Sequence, residues 1–365
     1  MILHIKDVKE ICSKIKTALD SSEITTVTET RELMADGDTL LINITNKQYY
    51  AQCRVKLNAP ATLRATVNAS TFLKLMSMIT TETVEIYTTE KTLMIKGNGE
   101  YTMPMIFEDD GLVELPKIRV ETVEKTFDTP SEIFNSIIQN NLFKIGNPKK
   151  PVHGMYYIDN NGAITFTSSS ACVNAFSLPE DIKFIIPQKI GKLFKLFSGL
   201  VHIKYGHTTR KDGLSQPQIM FETETFMLAA NLNVDEGTLL TAVPSSAIRD
   251  RVNKSYPYVV EINKDMLSQA INRLSVFSGD FGYLDFTCNS VTVYDDSRKN
   301  YESLIYQSPS TGFSVGDTYS VKFNLSFYKT MLDSTSESVV SMTFGDHQAV
   351  VTTCGAVNHL ITEIH

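Results

Sequence analysis

The 365-residue sequence contains no tryptophan, and its five cysteines are too few and too scattered to staple a fold. Cys12, Cys53, Cys172, Cys288 and Cys354 are odd in number and form no C-x-x-C pair. Free thiols in a reducing compartment are therefore expected, not disulfides or a zinc site. No apolar run approaches the roughly 20 residues that a membrane span needs. Residues 1–6 alternate like a strand and lack the long apolar region of a signal peptide, so a cytoplasmic location without membrane contact is expected.

Catalytic signatures are missing too. There is no G-x-x-x-x-G-K-[ST], no G-x-S-x-G and no H-E-x-x-H. The seven histidines show no i, i+3 or i+4 clustering of the kind a metal site uses. His202 alternates with Val201 and Ile203 and reads as a structural residue on one face of a strand. Asp109-Asp110 and Asp295-Asp296 sit in turn-like surroundings, which fits solvated turns better than acid–base pairs. Gly97-Asn98-Gly99 lies between strands and so forms a turn, not a phosphate cradle. No enzymatic activity and no cofactor is expected.

Positive charge is in short supply, with 34 Lys and Arg against 41 Asp and Glu, a formal charge of −7. A nucleic-acid partner usually requires a basic surface, so the distribution of these charges decides the matter.

What is present is a repeat. Residues 66–106 run as a short extended segment, a turn at Asn68, an amphipathic helix over 71–79, two alternating runs and a closing strand. The same order returns from Pro187 and again from Asn324, through helical stretches at 193–197 and 328–332. A threefold recurrence of a domain-sized unit follows. Hydrophobic residues at 42% and charged residues at 21% describe an ordinary globular composition, and the length suits two or three domains.

The division expected is 1–120, 121–246 and 247–365. In the first part a helix over 7–19 precedes strands at 39–44, 49–55 and 63–67. In the second a helix over 131–144 precedes strands at 154–158, 163–167 and 173–178, with Asn160-Asn161-Gly162 as a hairpin turn. Residues 208–217 read as a polar loop, and 244–258, with two prolines, as an interdomain link. The third part brings a strand at 258–262, a helix over 264–277, further strands, a loop at 311–317 and a last strand at 359–364. The fold class is α+β with much antiparallel sheet, each domain a doubled helix-plus-sheet unit.

The six expected helices, 7–19, 69–79, 131–144, 187–199, 264–277 and 325–333, hold eleven basic and five acidic residues. The rest of the chain then carries a formal −13. Lys189, Lys192 and Lys195 form one stripe opposite Ile190, Leu193, Phe194 and Phe197. Helices sharing one surface would make it cationic and suited to duplex backbone through counterion release, without reading sequence.

Three tandem domains of doubled helix-plus-sheet units with basic helices resemble the bacterial β sliding clamps of DNA replication, the DNA polymerase III beta subunit family. The resemblance spans essentially the whole chain and rests on the ordered openings at Asn68, Pro187-Gln188-Lys189 and Asn324. It implies a ring of two head-to-tail copies, with helices lining a hole and sheets outside. The implied contacts to double-stranded DNA are Lys9, Lys16, Lys74, Lys149, Lys150, Lys189, Lys192, Lys195, Lys264, Arg273 and Lys329. The implied homodimer contact joins Tyr101 and Met103 of one copy to Val276 and Phe277 of the other; as core residues these four would need no such role. A peptide pocket, through which DNA polymerase and clamp-loader subunits dock short linear motifs, would be walled by Val152, Ser168, Val173, Val252, Val259, Leu360, Thr362 and Ile364. The family's acidic-Gly-His-Arg turn is replaced here by Ser168-Ser169-Ser170-Ala171-Cys172, and its usual ending by Thr362-Glu363-Ile364-His365. Those departures fit a divergent, phage-type clamp tuned to its own polymerase and located in the cytoplasm at the nucleoid. The alternative expectation is a scaffold of tandem sheet domains that never encircles DNA.

Overall fold

Alternating apolar residues dominate the chain, and in the computed structural model they lie in antiparallel sheets with one or both faces buried. The structure describes residues 1–16, 29–46, 48–109, 111–140, 152–232, 236–277, 279–346, 349–355 and 357–362. Helices among them are α1 (Ile5–Lys16), α2 (Ala69–Met78), α3 (Ser131–Asn140), α4 (Gln188–Gly191), α5 (Glu236–Ala242), α6 (Ser245–Val252), α7 (Lys264–Leu274) and α8 (Leu325–Ser334). None of them is long and apolar enough to cross a membrane. All five cysteines are free thiols.

The chain divides into two compact units, Met1–Glu132 with Lys189–Val234, and Ile133–Gln188 with Asp235–His365. In the first, six strands run Thr30–Thr45, Tyr49–Asn68, Phe226–Asn231, Ser215–Glu222, Leu200–Thr209 and Thr122–Pro130 across one sheet. A four-stranded sheet orders Ile2–His4, Thr83–Thr88, Thr92–Lys96 and Glu100–Pro104. Phe194 meets Phe221 edge-on at 5.0 Å between centroids, and Phe197 lies 5.2 Å from Phe226, so aromatic packing fixes the segment after α4 to the larger sheet.

In the second unit, eight strands run Phe184–Ile186, Tyr156–Asp159, Gly162–Phe166, Ser170–Asn174, Val357–Thr362, Ala349–Cys354, Val339–Phe344 and Tyr258–Asn263. Its four-stranded sheet orders Tyr301–Ile305, Ser290–Asp295, Phe281–Phe286 and Tyr319–Asn324. Leu267, Ile271 and Leu274 of α7 and Leu325, Tyr328 and Leu332 of α8 form one core with Val260, Leu284, Phe323 and Phe344.

Both large sheets are shared between stretches that the repeat separates. Phe226 pairs with Cys53 in the first unit, and Ala171 pairs with Leu360 in the second.

Several elements differ from expectation. The runs at 49–55 and 63–67 belong to one strand, Tyr49–Asn68, whose register against Thr30–Thr45 shifts between Gly37 and Thr39. Residues 57–60 bulge there, and Gly37, at φ +77°, takes the left-handed conformation the irregularity needs. The expected loop at 208–217 is half sheet. Thr209 pairs with Ser215, and residues 210–214 turn tightly, Arg210 N–H donating to the Leu214 carbonyl at 2.9 Å. The expected helix over 187–199 is α4 followed by a 3₁₀ turn, Lys192–Leu196. Ile190, Leu193, Phe194, Leu196 and Phe197 are all buried along this stretch. The expected link over 244–258 holds α6, which starts right after Pro244.

Candidate functional site

In the eight-stranded sheet, strand alternation puts Ala171 and Val173 on one face, with Leu360 directly opposite Ala171 on the neighbouring strand. Two apolar rows cross the sheet there: Val351, Leu360, Ala171 and Phe166, and beside them Val173, Ile164, Tyr157 and Ile185. Val243, Ile248 and Tyr256 pack on these rows together with Val152, while Met155, Leu239, Leu240 and Val252 cover them only in part. The result is an apolar cluster roofed by the two short helices α5 and α6, with Leu239, Leu240 and Val252 only partly buried.

Four of the residues expected to wall a peptide pocket therefore meet in one cluster: Val152, Val173, Val252 and Leu360. Ser168 is exposed in the turn between Phe166 and Ala171, where Thr167 N–H donates to the Ser170 carbonyl at 2.8 Å. His153 meets Phe166 edge-on, with centroids 5.2 Å apart. Val259 is not brought to the cluster. It belongs to Tyr258–Asn263, the far edge of the sheet and three strands from Leu360, and bridges to Thr311 instead. Thr362 ends its strand, its side chain outside the described residues, and Ile364 lies wholly outside them.

Sequence reading missed the polar groups that hold this roof. Arg249 of α6 forks onto Asp159, with Nη1 2.8 Å from Oδ2 and Nη2 2.7 Å from Oδ1. Arg251 reaches Asp346 at 2.6 Å and Lys254 reaches the same carboxylate at 3.1 Å. The Tyr256 hydroxyl donates to the Arg251 carbonyl at 2.8 Å. No sequence spacing links 159 to 249 or 251 to 346; only the sheet brings them together.

The cations expected to meet DNA fall into three groups. Lys9 is half-buried on α1, whereas Lys74 on α2 and Lys195 on the 3₁₀ turn are exposed. Lys264, Arg273 and Lys329 are engaged by acids. Lys264 lies 3.0 Å from Asp265, Arg273 forks onto Glu302 at 2.7 Å through both Nε and Nη2, and Lys329 binds Asp333 one turn along α8. Arg273 beside it holds the Glu302 carboxyl below the usual carboxylate range. The side chains of Lys16, Lys189 and Lys192 lie outside the described residues, as do Lys149 and Lys150 altogether.

Of the expected copy-to-copy contacts, Val276 and Phe277, just past α7, are 78% and 65% exposed. Tyr101 is half-buried on Glu100–Pro104, an edge strand, but Met103 is 3% exposed and packs inside its own sheet, offering a second copy no surface.

Asp295 and Asp296 are each engaged by neighbouring groups. Asp295 is buried and organises its turn, accepting from Lys299 N–H at 2.9 Å, Asn300 Nδ2 at 2.7 Å and Ser297 Oγ at 2.9 Å. Asp296 pairs with Lys322 at 3.0 Å. Asp109 is exposed at positive φ in a turn, and Asp110 lies outside the described residues. His202 sits on a sheet face as expected, its Nδ1 2.6 Å from Asp128.

No protein-family model and no curated protein sequence matches the chain. Solved structures do. DNA polymerase III subunit beta from Borrelia burgdorferi, in complex with a natural product, aligns with TM-score 0.82 at 14% identity over 100% of this chain and 98% of that one. The beta subunit from the DNA polymerase of Streptococcus pyogenes aligns with TM-score 0.79 at 16% identity, covering 100% and 99%. The Helicobacter pylori beta clamp bound to a DNA ligase peptide gives TM-score 0.77 at 14% identity, again covering 100% and 99%. From its first strand to its last, the chain has the β sliding-clamp fold.

Proposed function

We propose that the protein is a sliding clamp: a non-enzymatic processivity factor that closes around duplex DNA as a head-to-tail homodimer and tethers a polymerase. The observation that carries this reading is the end-to-end correspondence of its fold with three beta clamps, all of this chain against 98–99% of theirs. A ring is held on DNA by topology, so its lysines need only weak, sequence-blind contacts with phosphates. Exposed Lys74 and Lys195 suit that role, and so do positions 189 and 192 in the same basic segment. The excess of acid elsewhere keeps nucleic acid off other surfaces. Three domains, 1–120, 121–246 and 247–365, are the repeating units of the ring, and the cytoplasm at the nucleoid is its place of work.

The cluster of Val152, Val173, Val252 and Leu360 supports the docking of short linear motifs, since a few apolar anchors bind an extended peptide without a large interface. Polymerase and clamp-loader subunits are the partners in this reading. Exposed Val276 and Phe277 on one side and Tyr101 on the other support a heterologous contact that closes after two copies.

Retention on circles tests the function. Protein reassembled from dilute copies around a nicked plasmid should stay bound through gel filtration and be lost when the plasmid is linearised. Release from circle and line alike would leave the scaffold reading in place. Replacing Lys189, Lys192 and Lys195 together by glutamine should flatten the slope of log K against log salt by up to about three phosphate contacts. An unchanged slope would remove these positions from the DNA face.

A further inference from the structure

The roof of the apolar cluster should not hold its place unaided. Helix α6 has eight residues, and Pro244 at its N-cap makes no side-chain capping bond. Helices shorter than roughly 12–15 residues are marginal in water on their own. Its apolar contribution is Ile248 and Val252, one turn apart, of which only Ile248 is fully buried.

Two charged ties hold it from different sides. The Asp159 carboxylate closes strand Tyr156–Asp159, two residues beyond Tyr157 of the cluster, and its side chain is 4% exposed. Its Oδ1 also accepts the Asn161 N–H at 2.9 Å, so the acid is fixed to the hairpin before Arg249 reaches it. The fork from Arg249 then sets both distance and tilt, because two parallel N–H···O bonds leave little rotational freedom. On the other side Asp346, in the turn after Val339–Phe344, takes Arg251 and Lys254. Neither pair lies within the apolar cluster, so a bound peptide would not need to touch them.

We infer that the Arg249–Asp159 pair is the positioning contact of the partner pocket: it fixes α6 over the apolar cluster and thereby holds Ile248 and Val252 where an apolar anchor of the partner would meet them. This rests on the cluster being the docking site for linear peptides. Without the fork α6 is held by two apolar side chains and the Asp346 ties alone, and affinity for the peptide falls.

The test uses the full-length protein, wild type and with Arg249→Gln, Asp159→Asn, Arg249→Lys and the reciprocal swap Arg249→Asp with Asp159→Arg. The probe is a fluorescein-labelled pentapeptide with two leucines and a terminal phenylalanine. Fluorescence anisotropy should show it at least tenfold weaker on R249Q and D159N. R249K should fall between, and the swap should recover part of the loss. Amide exchange over residues 245–252 should quicken in R249Q, while exchange in the strands Phe281–Phe286 and Ser290–Asp295 stays as in the wild type. Unchanged exchange over 245–252, or unchanged affinity in R249Q, would overturn the positioning role and leave the pocket reading standing. Failure of the wild type to bind the peptide would overturn the pocket reading and this inference with it.

Discussion

His359 is the side chain whose burial is hardest to reconcile with its chemistry. It is 2% exposed in the strand Val357–Thr362, opposite Cys172 on one neighbouring strand and Thr352 on the other. Neither ring nitrogen has a hydrogen-bond partner. Burial therefore pushes its pKa down from 6.5 to about 4. The unfolded chain binds this proton near pH 6.5 and the folded chain only near 4, so stability is whole above about 6.5 and declines as the pH falls between the two. The shift corresponds to at most about 3 kcal/mol. Urea unfolding at pH 7.5 and pH 5 should show about 2 kcal/mol of that loss in the wild type and a smaller one in His359→Leu. Equal losses would place the proton elsewhere. The sequence allowed this residue a place on a terminal strand, but alternation cannot tell a solvated face from one covered by another layer. Val152, Val173, Val252 and Leu360 could be placed together only through resemblance, whereas Asp159 and Arg249 carry no local mark of their pairing.

At the scale of elements, one device recurs. Asn68, Asn263 and Asn324 each end a strand and cap the helix that follows, accepting the N–H of Thr71, Met266 and Phe327 at 2.9, 2.9 and 2.7 Å. Each asparagine has extended backbone at the cap, which carries the chain from the pleat into the first turn. Changing any one to alanine should cost about 1 kcal/mol of stability in chemical denaturation, with aspartate close to neutral. A cost near zero would mean that packing alone sets these helix starts. Two of the three junctions were legible because the repeat drew attention to them, and the turn at Gly162 was legible from its residues alone. Helix α6 was not, since a polar stretch between Pro244 and Pro257 has the composition of a linker and becomes helical under Ile248 and its charged ties. The long strand Tyr49–Asn68 was read as two because a bulge interrupts the alternation that reveals a strand.

On the scale of the molecule, sequence recurrence and spatial grouping fall out of step. The six-stranded sheet takes two strands from before residue 120 and four from after it. A fragment ending at 120 should therefore fail to fold as a monodisperse domain, because Tyr49–Cys53 would lose their partner strand Phe226–Asn231. A fragment over 1–234 retains every strand of that sheet. Circular dichroism and gel filtration of the two fragments check this, and a soluble, cooperatively unfolding 1–120 would contradict it.

The staggering leaves remainders. The large sheets have six and eight strands, while the smaller sheet of each unit has only four. Among the described residues each small sheet stops at a bare rim, Glu100–Pro104 in one and Tyr301–Ile305 in the other, where Tyr301 and Ile305 are 63% and 77% exposed. A rim of this kind keeps a row of backbone donors and acceptors unspent, and only another strand or a covering segment laid along it can use them up.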